Sequence, residues 1–277
     1  MINSTTRLYG VFGSPVTHSL SPIIHNPAFR DHGVNAVYLA FEPASARAGA
    51  EAVRNLNMGG ASVTIPFKEE IMAHLDWIHP LAEKIGAVNT VVNEDGQLKG
   101  YNTDCKAAVD PLKALGVQGK DVLILGAGGA AKAVAHGIAD ARGNVFIANR
   151  SPEKGRALAQ ACHGQFIPME EAQKLRPDMI INTTPIGMDS APGLSCPLDC
   201  LEKKPVVMDA VYTPLNTPLI QAARERGCTV VDGLSMFVAQ AAAQFELWTG
   251  IEPDLKKMRQ WVRDEMEARN SVSKGDR

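Results

Sequence analysis

Lys68 is the residue whose neighbours best prepare it for chemistry in this 277-residue chain. It closes the segment Val63-Thr64-Ile65-Pro66-Phe67-Lys68. The apolar run Ala61 to Ile65 reads as a buried strand. Pro66, which cannot donate to a sheet ladder, stops it. Lys68 then stands just past the carboxyl end of a strand, the edge at which open α/β sheets bind ligands. A lysine there can exchange a proton or hold positive charge against a developing oxyanion. The same spacing also suits a solvated lysine in the first turn of a helix, beside Glu69 and Glu70. The segment alone leaves both readings open.

Other polar residues in that half sit at predicted strand ends and helix starts. Ser19 and Ser21 alternate in Gly13-Ser14-Pro15-Val16-Thr17-His18-Ser19-Leu20-Ser21-Pro22. They suit a helix cap, or two hydroxyl donors to a carboxylate at a helix N-terminus. Asn89 lies just inside a predicted strand, and Asp104 opens a predicted helix. An acid there often serves only as a cap or dipole partner.

The second half carries a different chemistry. Gly126-Ala127-Gly128-Gly129-Ala130-Ala131 follows the apolar run Val122–Leu125 and opens a helix. This is G-x-G-x-x-A in its strand–turn–helix setting, the pattern of a dinucleotide site. Gly126 permits the tight turn, Gly128 lets backbone approach a pyrophosphate, and Ala131 allows close helix–strand packing. Free N–H groups at the helix start meet phosphate oxygens. The next strand ends in Asn149-Arg150-Ser151, with Lys154 and Arg156 close behind. No carboxylate stands there to accept from a ribose 2′-OH. A guanidinium and a hydroxyl suit a 2′-phosphate, which points to NADP rather than NAD.

These residues need an alternating β/α frame. Strands are expected at Leu8–Phe12, Val37–Phe41, Ala61–Ile65, and in a hairpin of Val88–Asn93 and Leu98–Tyr101 across Asp95-Gly96. Helices are expected over Ser21–His32, Ser45–Leu56 and about 103–115. A second series runs through Val122–Leu125, Val145–Ala148, Met179–Ile181, Val206–Met208 and Thr229–Val231, continuous apolar runs of the kind parallel sheets require. Helices over Leu234–Trp248 and Asp254 to about Arg269 close the chain, before a polar, frayed tail from Ser271 to Arg277. The fold class is α/β with two domains. An N-terminal α/β substrate domain comprises 1–103 with 235–277. A Rossmann-type, doubly wound parallel-sheet domain binding the dinucleotide comprises 104–234.

Bulk properties narrow the function classes. A net charge of −2 with 45% hydrophobic and 21% charged residues gives no electrostatic reason to expect nucleic acid or an anionic membrane. No run approaches the roughly 18 apolar residues of a membrane span, and residues 1–7 lack a signal core. Five scattered cysteines form neither a disulfide framework nor a metal-ligand cluster. A reducing cytoplasm is the expected setting, with no metal.

The chain resembles the shikimate dehydrogenase family nearly end to end. The matching stretches are Gly13–Asn26, Ala61–Lys68, Gly86–Thr90, Asn102–Asp104, Gly126–Ala130, Asn149–Ser151, Asn182–Met188, Asp209–Pro214 and Asp232–Gln240. The resemblance implies reversible NADP-linked reduction of 3-dehydroshikimate to shikimate, in the route to chorismate and the aromatic amino acids. It implies a catalytic pair of Lys68 and Asp104. Ser19 and Ser21, with Tyr212, would hold the substrate carboxylate, and Thr64, Asn89, Asp104 and Gln240 the ring hydroxyls. It also implies cofactor contacts from Gly126, Ala127, Gly128, Gly129, Ala130, Asn149, Arg150, Ser151, Lys154, Thr183, Met188, Val211 and Gly233.

The chemistry is coherent with those roles. A ketone reduced by hydride develops charge on oxygen, which needs a proton donor or a positive charge within hydrogen-bond reach. Two positions depart from the family pattern: Ser62 stands where Asn is usual, and Cys105 where Gly is usual. The competing readings are a quinate/shikimate dehydrogenase, a related two-domain dehydrogenase with another small substrate, and a non-catalytic dinucleotide-binding module. Ser21 bears on the first, because quinate-preferring relatives often carry Thr there. The Lys68–Asp104 pair argues against the last, since a pure binder needs no proton donor. Oligomeric state is open in the sequence, with a homodimer as the assembly considered.

Overall fold

The computed structural model describes residues 2–275. The chain divides into two compact units, Met1–Thr103 with Val238–Arg277, and Asp104–Phe237. The crossing back into the first unit falls inside one helix, between Phe237 and Val238.

The first unit is built on a mixed six-stranded sheet. Its strands are β1 (Arg7–Phe12), β2 (Ala36–Phe41), β3 (Gly60–Val63), β4 (Trp77–Ile78), β5 (Thr90–Glu94) and β6 (Gln97–Tyr101), in spatial order β2-β1-β3-β5-β6-β4. Strands β2, β1 and β3 are parallel, and β5 runs antiparallel to both β3 and β6. Around it lie α1 (Ser21–Asp31), α2 (Ala46–Asn55) and α3 (Pro80–Ile85). The hairpin between β5 and β6 turns on Asp95 and Gly96, both at positive φ (52° and 92°), as a two-residue type I′ turn demands. Phe12, Val53, Met58, Val63, Phe67, Ile71 and Val91 fill the core beneath α2.

The second unit begins with α4 (Asp104–Ala114) and holds β7 (Asp121–Leu125), α5 (Gly129–Asp140), β8 (Asn144–Ala148), α6 (Pro152–Ala161), β9 (Gln165–Ile167), α7 (Ala172–Leu175), β10 (Met179–Asn182), β11 (Val206–Asp209), α8 (Pro218–Glu225) and β12 (Thr229–Val231). The sheet order is β12-β11-β10-β7-β8-β9, and every pair is parallel. The chain winds outward from β7 on one side and from β10 on the other. Its topological switch point therefore lies between these two central strands. Val122 to Leu125 are wholly buried, as a strand covered on both faces must be. Helices α9 (Gly233–Thr249) and α10 (Leu255–Gly275) complete the chain, and α10 packs on α1.

Several expectations change in detail. The strand expected over Ala61–Ile65 ends at Val63, and Ile65 is 73% exposed. The carbonyl of Ile65 accepts from Ser14 N–H instead of continuing the ladder. The edge strand β9 adds to the expected strands, because three residues before Pro168 carry no period of their own. Helix α10 runs beyond Arg269 through most of the tail expected to fray. The last two residues of that tail, Asp276 and Arg277, lie outside the described residues. Among the described residues, no helix is long and apolar enough to cross a membrane.

Candidate active site

In the first unit Thr64, Lys68 and Asn89 lie together at one edge of the sheet. Strands β1 and β3 run side by side to Phe12 and Val63. The loops that follow them therefore leave together, and Gly13 and Thr64 touch. A side chain on Gly13 would lie 2.4 Å from Thr64 Cγ2, so only glycine admits this approach. Thr64 N–H still donates to the Phe12 carbonyl (2.8 Å). Lys68 is half-buried. It precedes the short 3-10 turn Glu70–His74, so it does not sit in the first turn of an α-helix. Its carbonyl accepts from Val88 N–H (2.8 Å), which ties the lysine's backbone to the residue before Asn89.

Asn89 lies one residue ahead of β5, not inside it. It is 2% exposed. Its Oδ1 accepts from Thr103 N–H (2.8 Å) and Thr90 Oγ1 (2.7 Å), and its Nδ2 donates to Thr103 Oγ1 (2.9 Å). Asn102 Nδ2 donates to Ala87 O (2.9 Å). The strand leaving the sheet at Tyr101 is thereby stitched to the one entering at Thr90. Asp104 follows directly as the buried first residue of α4, in the second unit. Ser19 Oγ accepts from Ser21 N–H (3.2 Å), but the N-cap of α1 is Leu20 and no side chain caps it, so the expected serine cap does not form. Gln240 lies on α9 in the first unit.

In the second unit the predicted glycine turn and Thr183 meet at the switch point. Gly126 adopts φ +114° directly after β7, and its N–H donates to Ala148 O (2.8 Å). A side chain there would meet Thr183 Oγ1 at 2.6 Å. Gly128 is the N-cap of α5, with nothing within 4 Å of an added Cβ. The turn thus leaves open space over the helix N-terminus, the arrangement that fits a pyrophosphate. Ala131 is wholly buried behind it. Thr183 donates to Leu125 O through both N–H (2.9 Å) and Oγ1 (2.6 Å), which fixes the loop after β10 against the glycine turn.

At the end of β8, Asn149 Nδ2 donates to Ser151 O (2.9 Å), and Arg150 and Lys154 are exposed. Arg156 stacks over the Phe166 ring at 5.2 Å. Cys105 packs against Gly137 of α5, where a side chain would come within 2.8 Å of its sulfur. Burial pushes the Cys105 thiol up to about 11.

A polar hub that carries no role in the sequence reading braces this half. Buried Asp209 accepts from Asn182 Nδ2 (2.8 Å), Val211 N–H (3.0 Å) and Thr217 Oγ1 (2.6 Å). Asn182 Nδ2 also donates to Ile186 O (3.0 Å), and Asn182 Oδ1 accepts from Thr184 N–H (3.1 Å). These bonds set the loop that carries Met188. Gly233 opens α9 where a side chain would strike Val211 O at 2.5 Å. Half-buried Tyr212 stacks on Phe237 (4.6 Å between centroids), and burial pushes its phenol up to about 12. The signal for the hub was present: Asn182 and Asp209 are polar residues ending apolar strands, where open α/β sheets place functional groups.

Three stretches match family models: the shikimate dehydrogenase substrate binding domain over residues 11–91, shikimate/quinate 5-dehydrogenase over 111–185, and the shikimate 5′-dehydrogenase C-terminal domain over 233–263. The shikimate dehydrogenase (NADP(+)) of Pyrococcus furiosus is 42% identical over 271 residues, covering 95% of this chain and 99% of the relative. The crystal structure of a shikimate dehydrogenase in complex with NADP+ superposes with a TM-score of 0.90 at 40% identity, over 96% of this chain and 97% of that one. The shikimate 5-dehydrogenase of Thermus thermophilus, in complex with NADP(H) and shikimate, gives 0.84 at 36% identity, over 94% of this chain and 99% of that one.

Proposed function

Because the chain belongs to the shikimate dehydrogenase family, we propose that it catalyses the reversible, NADP-dependent interconversion of 3-dehydroshikimate and shikimate, a step toward chorismate and the aromatic amino acids. The observation that carries this reading is the edge of the first sheet. There the backbone of Lys68 is bonded next to Asn89, beside the Gly13–Thr64 approach.

When bound, NADP supplies or takes up the hydride. The residues proposed to hold it are Gly126, Ala127, Gly128, Gly129 and Ala130 at the pyrophosphate, and Asn149, Arg150, Ser151 and Lys154 at the adenosine 2′-phosphate. Thr183, Met188, Val211 and Gly233 would lie at the nicotinamide end. In the reduction, Lys68 meets the ketone oxygen as charge develops on it, and gives a proton or holds that charge. Asp104 orients Lys68 and accepts from a ring hydroxyl. Ser19 and Ser21 donate to the substrate carboxylate with Tyr212, and Thr64, Asn89 and Gln240 bind ring hydroxyls. The substrate-binding role belongs to 1–103 with 235–277, and the dinucleotide role to 104–234.

A quinate-accepting enzyme is the second reading, supported by the shikimate/quinate description of the model matching 111–185. Purified protein mixed with shikimate or quinate, and with NADP or NAD, separates the readings through the absorbance of reduced nicotinamide. Turnover with shikimate and NADP is expected to be fastest. None with that pair overturns the proposal, and equal rates with quinate favour the second reading. A cytoplasmic location is supported by the five free thiols. A homodimer is part of the same proposal, and sedimentation velocity tests it.

A further inference from the structure

Asn89 is held from behind by a chain of buried polar groups that no step above uses. Tyr38 hydroxyl donates to Ser62 Oγ (2.6 Å), and Ser62 donates to Gln244 Oε1 (2.7 Å). Gln244 Nε2 donates to Asn89 O and to Thr90 Oγ1, both at 3.1 Å. Thr90 in turn donates to Asn89 Oδ1 (2.7 Å). Tyr38 and Gln244 are 0% and 1% exposed, and Ser62 is 6% exposed.

Two backbone groups fix the direction of every bond. The Asn89 carbonyl can only accept, so the Gln244 nitrogen must face it. Gln244 Oε1 must then face Ser62, Ser62 must donate, and Tyr38 must donate to Ser62. At the other end, Thr103 N–H can only donate, so it takes Asn89 Oδ1. The Asn89 amide is thereby set with its oxygen inward and its nitrogen as the donor side.

The frame around this chain is rigid. Gln244 stands one turn after Gln240 and one turn before Trp248 on α9, and Trp248 Nε1 donates to Val91 O (3.0 Å). Gln244 and Trp248 therefore grip the alternate carbonyls of Asn89 and Val91. That grip fixes the helix carrying Gln240 against β5. Fully buried His25 stacks on Tyr38 (4.5 Å, 21°) and holds its ring.

We propose that Gln244, aligned by Ser62 and Tyr38, is a positioning residue for the substrate. It sets the amide orientation of Asn89 without touching the ligand itself. This inference rests on the proposed function for its kinetic effect, and on the buried chain alone for its structural one.

The test uses Gln244→Leu, and Tyr38→Phe as an isosteric variant that opens no cavity. Gln244→Leu is expected to lower kcat/KM for shikimate roughly ten- to a hundredfold, the effect of a binding group misplaced by about 1 Å. Tyr38→Phe should act in the same sense but less. KM for NADP should stay within about twofold in both, which a general loss of structure would not allow. In an Asn89→Ala background either substitution should cost less than about twofold more, because the group it positions is gone. Additive losses, or equal losses toward shikimate and NADP, overturn the inference. Crystal structures of the unliganded variants give a readout independent of turnover. Asn89 should rotate or shift in them, and an unmoved Asn89 overturns the inference. If the wild type does not turn over shikimate, the proposed function fails, while these structures still decide the role of Gln244.

Discussion

Gly126 and Gly128 should respond in different ways to the same added methyl group. Gly126 sits at φ +114°, where an L side chain costs roughly 1–2 kcal/mol. Its Cβ would also lie 2.6 Å from Thr183 Oγ1, whose hydrogen bond to Leu125 O is worth about 1 kcal/mol. Gly126→Ala should therefore destabilise the protein by about 2–3 kcal/mol and lower Tm by about 5–10 °C.

Gly128 sits at φ −86°, ψ −172°, which alanine adopts freely, and an added Cβ meets nothing within 4 Å. The loss of a tolerated N-cap residue and the gain from a stiffer unfolded chain cancel to within about 1 kcal/mol. The methyl nevertheless occupies the space over the α5 N-terminus that a pyrophosphate would fill. KM for NADP should rise about tenfold or more, equivalent to ~1.4 kcal/mol of lost binding. Thermal unfolding and steady-state kinetics on both variants check this. A Tm loss in Gly128→Ala matching that of Gly126→Ala, or an unchanged KM for NADP, would refute the reasoning.

Lys68→Ala should lower kcat by roughly 10²–10⁴-fold with little change in KM for shikimate, since a proton donor or charge clamp acts in the transition state; near-normal kcat would remove Lys68 from the mechanism. Arg150→Ala should raise KM for NADP much more than for NAD, and equal effects would mean that Arg150 does not read the 2′-phosphate. Burial raises the Asp209 carboxyl above its ordinary value despite its three hydrogen bonds. The folded state therefore holds this proton to higher pH than the unfolded state does. Its stabilising contribution is full below the ordinary value of 3.8 and is lost as pH rises through the folded value. Urea midpoints of the wild type, compared with Asp209→Asn, should accordingly improve between about pH 7 and about pH 4; a difference constant in pH would show that Asp209 does not titrate in this window.

Local chemistry made much of this protein legible from its residues. Pro66 and the glycines of 126–129 are punctuation with a steric cause. The continuous apolar run Val122–Leu125 is what a strand covered on both faces requires. Asp95-Gly96 names its own turn. Lys68, Asn89 and the glycine turn are therefore legible near strand ends from the sequence.

What tertiary structure decided were partners far away in sequence. Ile65 looks like strand, yet its carbonyl is taken by Ser14, so β3 stops at Val63. Residues 165–167 became an edge strand only because β8 was there to pair with. Gln244 is one of a few polar residues on a largely apolar helix, and nothing within a turn of it announces Ser62, 182 positions earlier. Turns and periodicity are written over a few residues, so a sequence shows them. The hydrogen bonds that aim Asn89 and brace Asn182 join elements that only the packed sheet brings within about 3 Å of one another, and a pattern read along one chain carries no term for that distance.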